Sequence, residues 1–487
     1  MQIRTRFAPS PTGYLHIGSL RTALYNYFFA KKHGGDFILR VEDTDQTRFV
    51  PGATESLIKV LKIMGLETDE GPTLNPDDSL VEVGTYGPYI QSKRTEIYRE
   101  HAQVLLEKGS AYYCFCSSER LETMRKEQEL AKLPTKYDRT CLRLTPEEIK
   151  NKITAGEKYV IRLRVPEGET EFDDLIRGHL KFNNNEIDDQ VLLKSDNFPT
   201  YHLANIVDDH MMNVSHVIRG EEWLPSAPKH VVLYRAFGWT PPAFAHLPLI
   251  LNADHSKLSK RQGDVAVEDY LKKGYLPEAL NNFIAICGFN PKGDQEIYSK
   301  QELIELFDIE KVNKSGAIFD KEKLNWMNSQ YIHKTSVDDL TTLCSPYLVA
   351  AGKTVSPELL TKICTVERER LVLLSDIVEK VDSYQKLPEY LAEILVWKKS
   401  SKEEALENLQ KIIPFIETLD LTSVELIEKA IREYIVSNNL QNGTVLWPLR
   451  AALSGASASP SPFELIWVLG KEESLIRINH AIKLLSV

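Results

Sequence analysis

The chain has 487 residues, is 43% hydrophobic and 26% charged, and carries a formal net charge of −10. It is too long for one core, and at roughly 100–200 residues per domain about two to four domains are expected. No apolar run is long enough to span a bilayer and no basic-then-apolar leader precedes the first strand-like segment, so a cytoplasmic chain without membrane attachment is expected. Six cysteines exclude a disulfide scaffold. The acidic balance argues against a uniformly basic nucleic-acid binder, but it leaves room for a local basic face.

Residues 3–8 read as a short strand, closed by the turn Pro9-Ser10-Pro11-Thr12-Gly13. Leu20, Ala23, Leu24, Tyr27 and Phe28 then recur at helical spacing over 19–32, and Gly34-Gly35 ends that helix. Residues 37–41 form the next strand and 54–64 the next amphipathic helix. This β-α-β-α order predicts an α/β fold with a doubly wound, parallel sheet of Rossmann type. From 93 to 195 the texture changes to a polar helix at 119–130 and short strands at 159–165 and 179–182, which reads as an inserted α+β domain. Strand–helix alternation returns with 199–208, 216–219 and 230–237 and closes with a strand at 247–251, so the first domain is expected as 1–92 plus 196–251. Helical patterns follow at 277–287, 300–307, 356–384 and 424–437, with a small-residue loop at 454–462. They divide into a helical domain at 252–335 and an all-helical region of two subdomains at 336–487.

In a doubly wound sheet, ligands bind beyond the carboxyl ends of the strands. The joint between the first strand and first helix, which contains His16-Ile17-Gly18-Ser19, is therefore a candidate phosphate site. His16 can offer a ring N–H, Gly18 permits close approach to the backbone, and Ser19 is a candidate N-cap. No Gly-rich dinucleotide fingerprint and no Walker-type loop is present. A second candidate is Lys257-Leu258-Ser259-Lys260-Arg261, three cations in five positions. Flexible cations suit a polyphosphate whose charge shifts during reaction, while alone such a cluster reads as a solvated basic loop.

Together, in this order and spacing, the two segments resemble the two signatures of class I aminoacyl-tRNA synthetases. Ser19, Leu258 and Arg261 depart from the consensus strings. Wider matches are more specific. Arg6-Phe7-Ala8-Pro9-Ser10-Pro11-Thr12-Gly13, Arg40-Val41-Glu42-Asp43-Thr44-Asp45, Tyr201-His202-Leu203-Ala204-Asn205-Ile206-Val207-Asp208-Asp209-His210 and Val217-Ile218-Arg219-Gly220-Glu221-Glu222-Trp223 resemble bacterial-type glutamyl-tRNA synthetases. The resemblance covers essentially the whole chain.

The resemblance implies ATP-dependent attachment of L-glutamate to tRNA(Glu), through a glutamyl-adenylate and with Mg²⁺ accompanying ATP. It places glutamate against Arg6, Ala8, Ser10, Glu42, Tyr201, Asn205 and Arg219. ATP falls against His16, Gly18, Ser19, Glu222, Trp223, Lys257, Ser259 and Lys260, with His16, Lys257 and Lys260 acting on the phosphates. The chemistry agrees: arginine forks suit two carboxylates, and Glu42 suits an ammonium. Local ion pairs with Arg48 are the bland alternative for Glu42 and Asp45. Trp223 reads equally as core.

The resemblance also assigns the insertion to the acceptor stem, 252–335 to stem contact, and the last region to the anticodon, with Arg370 and Arg450 as contacts. Cys114, Cys116, Tyr137 and Cys141 match a spacing that holds structural Zn²⁺ in some relatives; three reduced thiols are the alternative. A monomer is expected. Competing readings are an enzyme that also charges tRNA(Gln), and a catalytically silent tRNA-binding or glutamate-sensing paralogue.

Overall fold

A computed structural model of the chain describes residues 2–48, 50–258, 265–291 and 293–486. Two compact units result: Met1–Lys272 with Pro277–Lys321, and Lys273–Leu276 with Glu322–Val487.

In the first unit, strand Arg4–Phe7 pairs in parallel with Asp36–Leu39, and helix Ile17–Lys32 crosses between them. Strand His216–Gly220 pairs in parallel with Ala243–Leu247, and helix Ala227–Phe237 makes that crossover. The Ser215 N–H donates to the Arg4 carbonyl at 2.9 Å, and the Arg4 N–H donates to Ser215 Oγ at 2.8 Å, which stitches the two pairs together. The expected parallel, doubly wound arrangement is thus present. Helix Ile17–Lys32 buries Leu20, Leu24 and Phe28 completely or nearly so, Phe28 against Phe307 with ring centroids 5.9 Å apart. It is also pinned by buried Asn26, whose side-chain amide donates to the Ile218 carbonyl at 3.0 Å, while the Asn26 backbone carbonyl accepts from Thr5 Oγ1 at 2.9 Å. Gly35 is required where the helix returns to the sheet, because a Cβ there collides with the Ile3 carbonyl.

The strand expected at 247–251 is broken in two, Ala243–Leu247 and Ile250–Leu251. Pro248 has no N–H to continue the ladder. Within the expected insertion, Ala111–Cys114, Val160–Leu163 and Val191–Leu193 make a three-stranded antiparallel sheet. Helix Ser118–Leu130 buries none of its side chains, in line with its polar pattern. Strand Glu169–Asp174 behaves differently. It joins the first sheet, with Asp174 opposite Phe244 of the parallel strand Ala243–Leu247. Tyr98, Leu163, Leu192, Leu203, Leu233 and Phe244 fall in one buried apolar cluster, so this segment and the second half of the sheet share a core.

The second unit contains no strand among the described residues. The helix expected over 356–384 is interrupted. Pro357–Glu367 ends in a 3₁₀ turn, and Ile377–Gln385 begins anew. Between them the Asp376 carboxylate accepts from the N–H groups of Val372 and Leu373 at 3.0 and 2.8 Å, satisfying donors that a continuous helix would have used. Helix Asn442–Ser454 stops at Gly455, whose φ of 66° is the usual left-handed terminus, and Pro462 opens the last helix.

Asn26→Leu removes the donor to Ile218 and leaves a buried carbonyl unpaired. It should lower the stability of the first unit by about 1–3 kcal/mol in urea unfolding monitored by fluorescence.

Candidate active site

The joint of first strand and first helix opens onto a cavity of 790 Å³ in the first unit. Its walls include Arg6, Ala8, Ser10, His16, Ser19, Glu42, Tyr201, Arg219, Glu222 and Trp223. Residues from four separated stretches of sequence therefore meet at one place, beyond the carboxyl ends of the parallel strands.

His16 lies at the helix start. It is the N-cap itself: Nδ1 accepts from the Gly18 N–H at 2.9 Å. This corrects the expectation for Ser19, which sits in the first turn. With Nδ1 accepting, the proton of a neutral ring resides on Nε2. A Cβ at Gly18 would stand 3.3 Å from His16 Nδ1, so the small residue makes room first for the capping ring. The residues after the basic loop pair with the same joint, Ile17 N–H to the Val265 carbonyl at 2.8 Å and Val267 N–H to the Leu15 carbonyl at 2.9 Å. Lys257 is exposed and paired with Leu251 at the loop's other end. Ser259, Lys260 and Arg261 lie outside the described residues.

Beneath the cavity lies a buried charge network that ties Arg6, Glu42 and Asn205 to residues without a role in the sequence reading, Arg40, Asp208 and Asp209 among them. Arg40, fully buried just beyond the end of strand Asp36–Leu39, donates to Asp209 at 2.6 Å, to Glu42 at 3.0 Å and to Asn205 Oδ1 at 2.9 Å. Arg6 Nε donates to Asp209 at 3.0 Å and Nη2 does so at 3.4 Å. Beside it, Asp208 accepts from Arg94 at 2.7 Å, Tyr98 at 2.8 Å and Gln91 at 2.9 Å. Burial raises the Glu42 pKa despite opposition from Arg40. At Asp209 burial also acts upward, but Arg40 and Arg6 outweigh it and hold the carboxyl below its ordinary range. Asp45, not Glu42, takes Arg48, at 2.7 Å. Asn205 stands behind the wall, its amide donating to Tyr201 OH at 3.0 Å.

Arg219 is only 5% exposed, yet among the described residues no carboxylate lies within ion-pair distance of it. Its partners are neutral: His246 Nε2 at 3.1 Å, Tyr201 OH at 2.9 Å and His230 Nδ1 at 3.2 Å. Its Nη2 is buried with no partner. Such an orphaned charged donor is costly unless a ligand completes it. Trp223 is 37% exposed and rests against Tyr201, ring centroids 4.2 Å apart, which places it in the cavity wall rather than the core.

The three cysteines of the insertion also converge. Their sulfurs lie within 4.8 Å of one another, Cys116 and Cys141 3.5 Å apart. Tyr137 OH is 3.4 Å from Cys114 Sγ and 3.3 Å from Cys116 Sγ. Hydrogen bonding with Cys141 pulls the Cys114 thiol down against the upward effect of burial, helped by Tyr137, while burial and the thiols push the Tyr137 phenol up. Ligands of a tetrahedral zinc stand about 3.8 Å apart, so the donor set fits that ion.

In the second unit, Arg370 is exposed at the end of the 3₁₀ turn after helix Pro357–Glu367, donating to the Val366 carbonyl at 2.7 Å. Arg450 donates to the Ser457 carbonyl at 2.8 Å and covers the Trp447 ring at 4.7 Å.

The parallel sheet, the capped first helix and the pairing of residues 265–267 with the start of that helix are the frame of a class I tRNA synthetase. The family model described as tRNA synthetases class I (E and Q), catalytic domain, matches residues 2–326, and an anticodon binding domain model matches 339–482. The chain is 48% identical to a glutamate–tRNA ligase of Clostridium botulinum (strain Eklund 17B / Type B) over 99% of both chains, and 48% identical to one of Alkaliphilus metalliredigens over 98% of both. A crystal structure of a glutamate tRNA ligase from Elizabethkingia meningosepticum in complex with its amino acid aligns with a TM-score of 0.88 at 38% identity, covering 100% of each chain. The chain belongs to the glutamate–tRNA ligase family. No described helix is long and apolar enough to cross a membrane.

Asp209→Asn should destabilise the protein by about 3 kcal/mol at neutral pH, because Arg6 and Arg40 lose a buried anion. The Asp209 pKa is depressed, so its contribution is present above the ordinary carboxylate range and disappears as pH falls through the folded value. Urea midpoints for the two proteins should therefore converge in acid.

Proposed function

We propose that the cavity joins L-glutamate to the 3′-terminal adenosine of tRNA(Glu) in two steps. In the first, the α-carboxylate attacks the α-phosphorus of ATP, pyrophosphate leaves and glutamyl-adenylate forms. In the second, a ribose hydroxyl of the tRNA attacks the acyl carbon and AMP leaves. No protein nucleophile is required, so catalysis consists of positioning and charge stabilisation.

The observation that carries this reading is the orphaned Nη2 of buried Arg219. A glutamate side-chain carboxylate supplies the missing acceptor and the missing anion together. Glutamine would set an amide there and leave the cation uncompensated. Glu42 takes the substrate ammonium, while Arg6, Ser10 and Tyr201 supply hydrogen bonds from the cavity walls and Ala8 lines the space. Asn205 orients the Tyr201 hydroxyl. His16 donates from Nε2 to phosphate oxygens, Gly18 and Ser19 border them, and Lys257, Ser259 and Lys260 follow the charge that develops on the leaving pyrophosphate. Trp223 and Glu222 flank the adenosine. Magnesium arrives with ATP, held through phosphates and water.

Arg370 and Arg450 contact the anticodon, and residues 93–195 and 252–335 contact the stem. Cys114, Cys116, Cys141 and Tyr137 hold a zinc ion that braces the insertion, a structural role needing no open coordination position. The proposed working unit is a monomer.

Purified protein with labelled glutamate and ATP should charge tRNA(Glu), and failure to do so overturns the reading. Arg219→Cys should lower kcat/KM for glutamate at least about 100-fold in the same assay, with the KM for ATP little changed. Metal analysis should find one equivalent of zinc per chain and none in Cys141→Ser, with a lower melting temperature in the variant.

A further inference from the structure

Resting on the assignment of Arg219 to the substrate side chain, a second layer behind that residue carries an inference of its own. Asp174 closes the strand that the insertion contributes to the sheet, and His246 stands on the neighbouring strand. Both are buried, His246 completely. Asp174 Oδ2 lies 2.6 Å from His246 Nδ1, and His246 Nε2 accepts from Arg219 Nε at 3.1 Å. Asp174 is itself fixed: its Oδ1 accepts from the N–H groups of Ile176 and Arg177 at 3.0 and 2.9 Å, and Oδ2 accepts from the His246 N–H at 3.1 Å.

We infer that Asp174 and His246 are positioning residues for glutamate selection, holding the Arg219 guanidinium through a neutral imidazole so that its Nη2 stays turned to the substrate carboxylate.

The argument is one of proton bookkeeping. Arg219 can only donate, so each nitrogen facing it must accept. Asp174 can only accept, so it secures the His246 proton on Nδ1 and leaves Nε2 with its lone pair outward. A second imidazole repeats the logic. His230 Nδ1 faces Arg219 Nη1 at 3.2 Å, and its Nε2 faces His202 Nδ1 at 3.1 Å. Burial holds the pKa of His246 and of His230 below the ordinary value, which keeps both rings neutral. Had a carboxylate gripped Arg219 directly, the cation would be neutralised where the substrate must bind. The imidazole transmits orientation and keeps the anion one ring away. Two guanidinium nitrogens are committed to this scaffold, and the third is left for the ligand.

The test is steady-state charging by full-length His246→Ala and His246→Gln, together with nitrogen NMR of histidine-labelled protein. His246→Ala should raise the KM for glutamate about 10–100-fold with kcat and the KM for ATP nearly unchanged. Gln retains an acceptor oxygen near the Nε2 position and should restore the KM to within a few-fold. The His246 resonances, assigned by their loss in His246→Gln, should report the Nδ1–H tautomer in wild-type protein and Nε2–H in Asp174→Asn. A wild-type Nε2–H tautomer, or a His246→Ala enzyme whose kcat falls while its KM holds, overturns the inference even if Arg219→Cys is defective. Normal glutamate charging by Arg219→Cys overturns the underlying assignment instead. Should His246→Ala fail to fold, the wild-type tautomer and His246→Gln still decide.

Discussion

Two adjacent carboxylates on one helix, Asp208 and Asp209, hold the first unit's active face together. Each meets arginines from elsewhere in the chain: Arg94 for Asp208, and Arg6 with Arg40 for Asp209. Three segments distant in sequence are thereby locked to helix Tyr201–Met211 by charge pairs that water does not screen. Burying such groups is expensive, and each pair is tolerable only because its remaining donors and acceptors are nearly all met. Removing any one member strands the others. The cavity's floor is consequently stiff, and Arg6, Glu42 and Tyr201 are presented to a ligand in fixed positions.

Against that balanced floor, Arg219 stands apart. Its neighbours orient it without opposing its charge. The same helix that carries Asp209 also supplies Tyr201 and Asn205, so the balanced and the unbalanced parts of the site are built on one rigid element. With Arg219 in the role proposed for it, specificity for an anionic side chain rests on a difference in satisfaction: a carboxylate would complete the pocket, and an uncharged isostere would leave a buried donor unmet.

The sequence made much of this legible, for identifiable reasons. Apolar periodicity is strong over helix Ile17–Lys32, and the β-α-β-α order carried the parallel sheet with it. The residues lining the cavity were found because they sit in compact strings around strand ends. Arg40, Asp208 and Asp209 lay inside those same strings, yet no role was read for them, because pairing across 169 residues is invisible to spacing. The signal available is a charge at the end of an apolar run and two acids directly after the apolar pair Ile206-Val207. His246 was passed over as one polar residue in an apolar run. The break at Leu371–Asp376 was missed for another reason: its helical pattern continues on both sides, and only the capping carboxylate of Asp376 reveals the interruption. Residue type favours Ser19 as helix cap, whereas the chain turns earlier and gives that task to an imidazole.

In the role proposed for it at the ATP phosphates, that imidazole has a thermodynamic consequence. His16 is held by its own helix through Nδ1 before any nucleotide arrives, so its rotamer is chosen during folding. A free surface histidine would lose its rotational freedom at the moment of binding, at the expense of affinity. Here that ordering cost falls on the folding equilibrium of the first unit, where the hydrophobic burial of Leu20, Leu24 and Phe28 offsets it, and the nucleotide meets a ring already at rest.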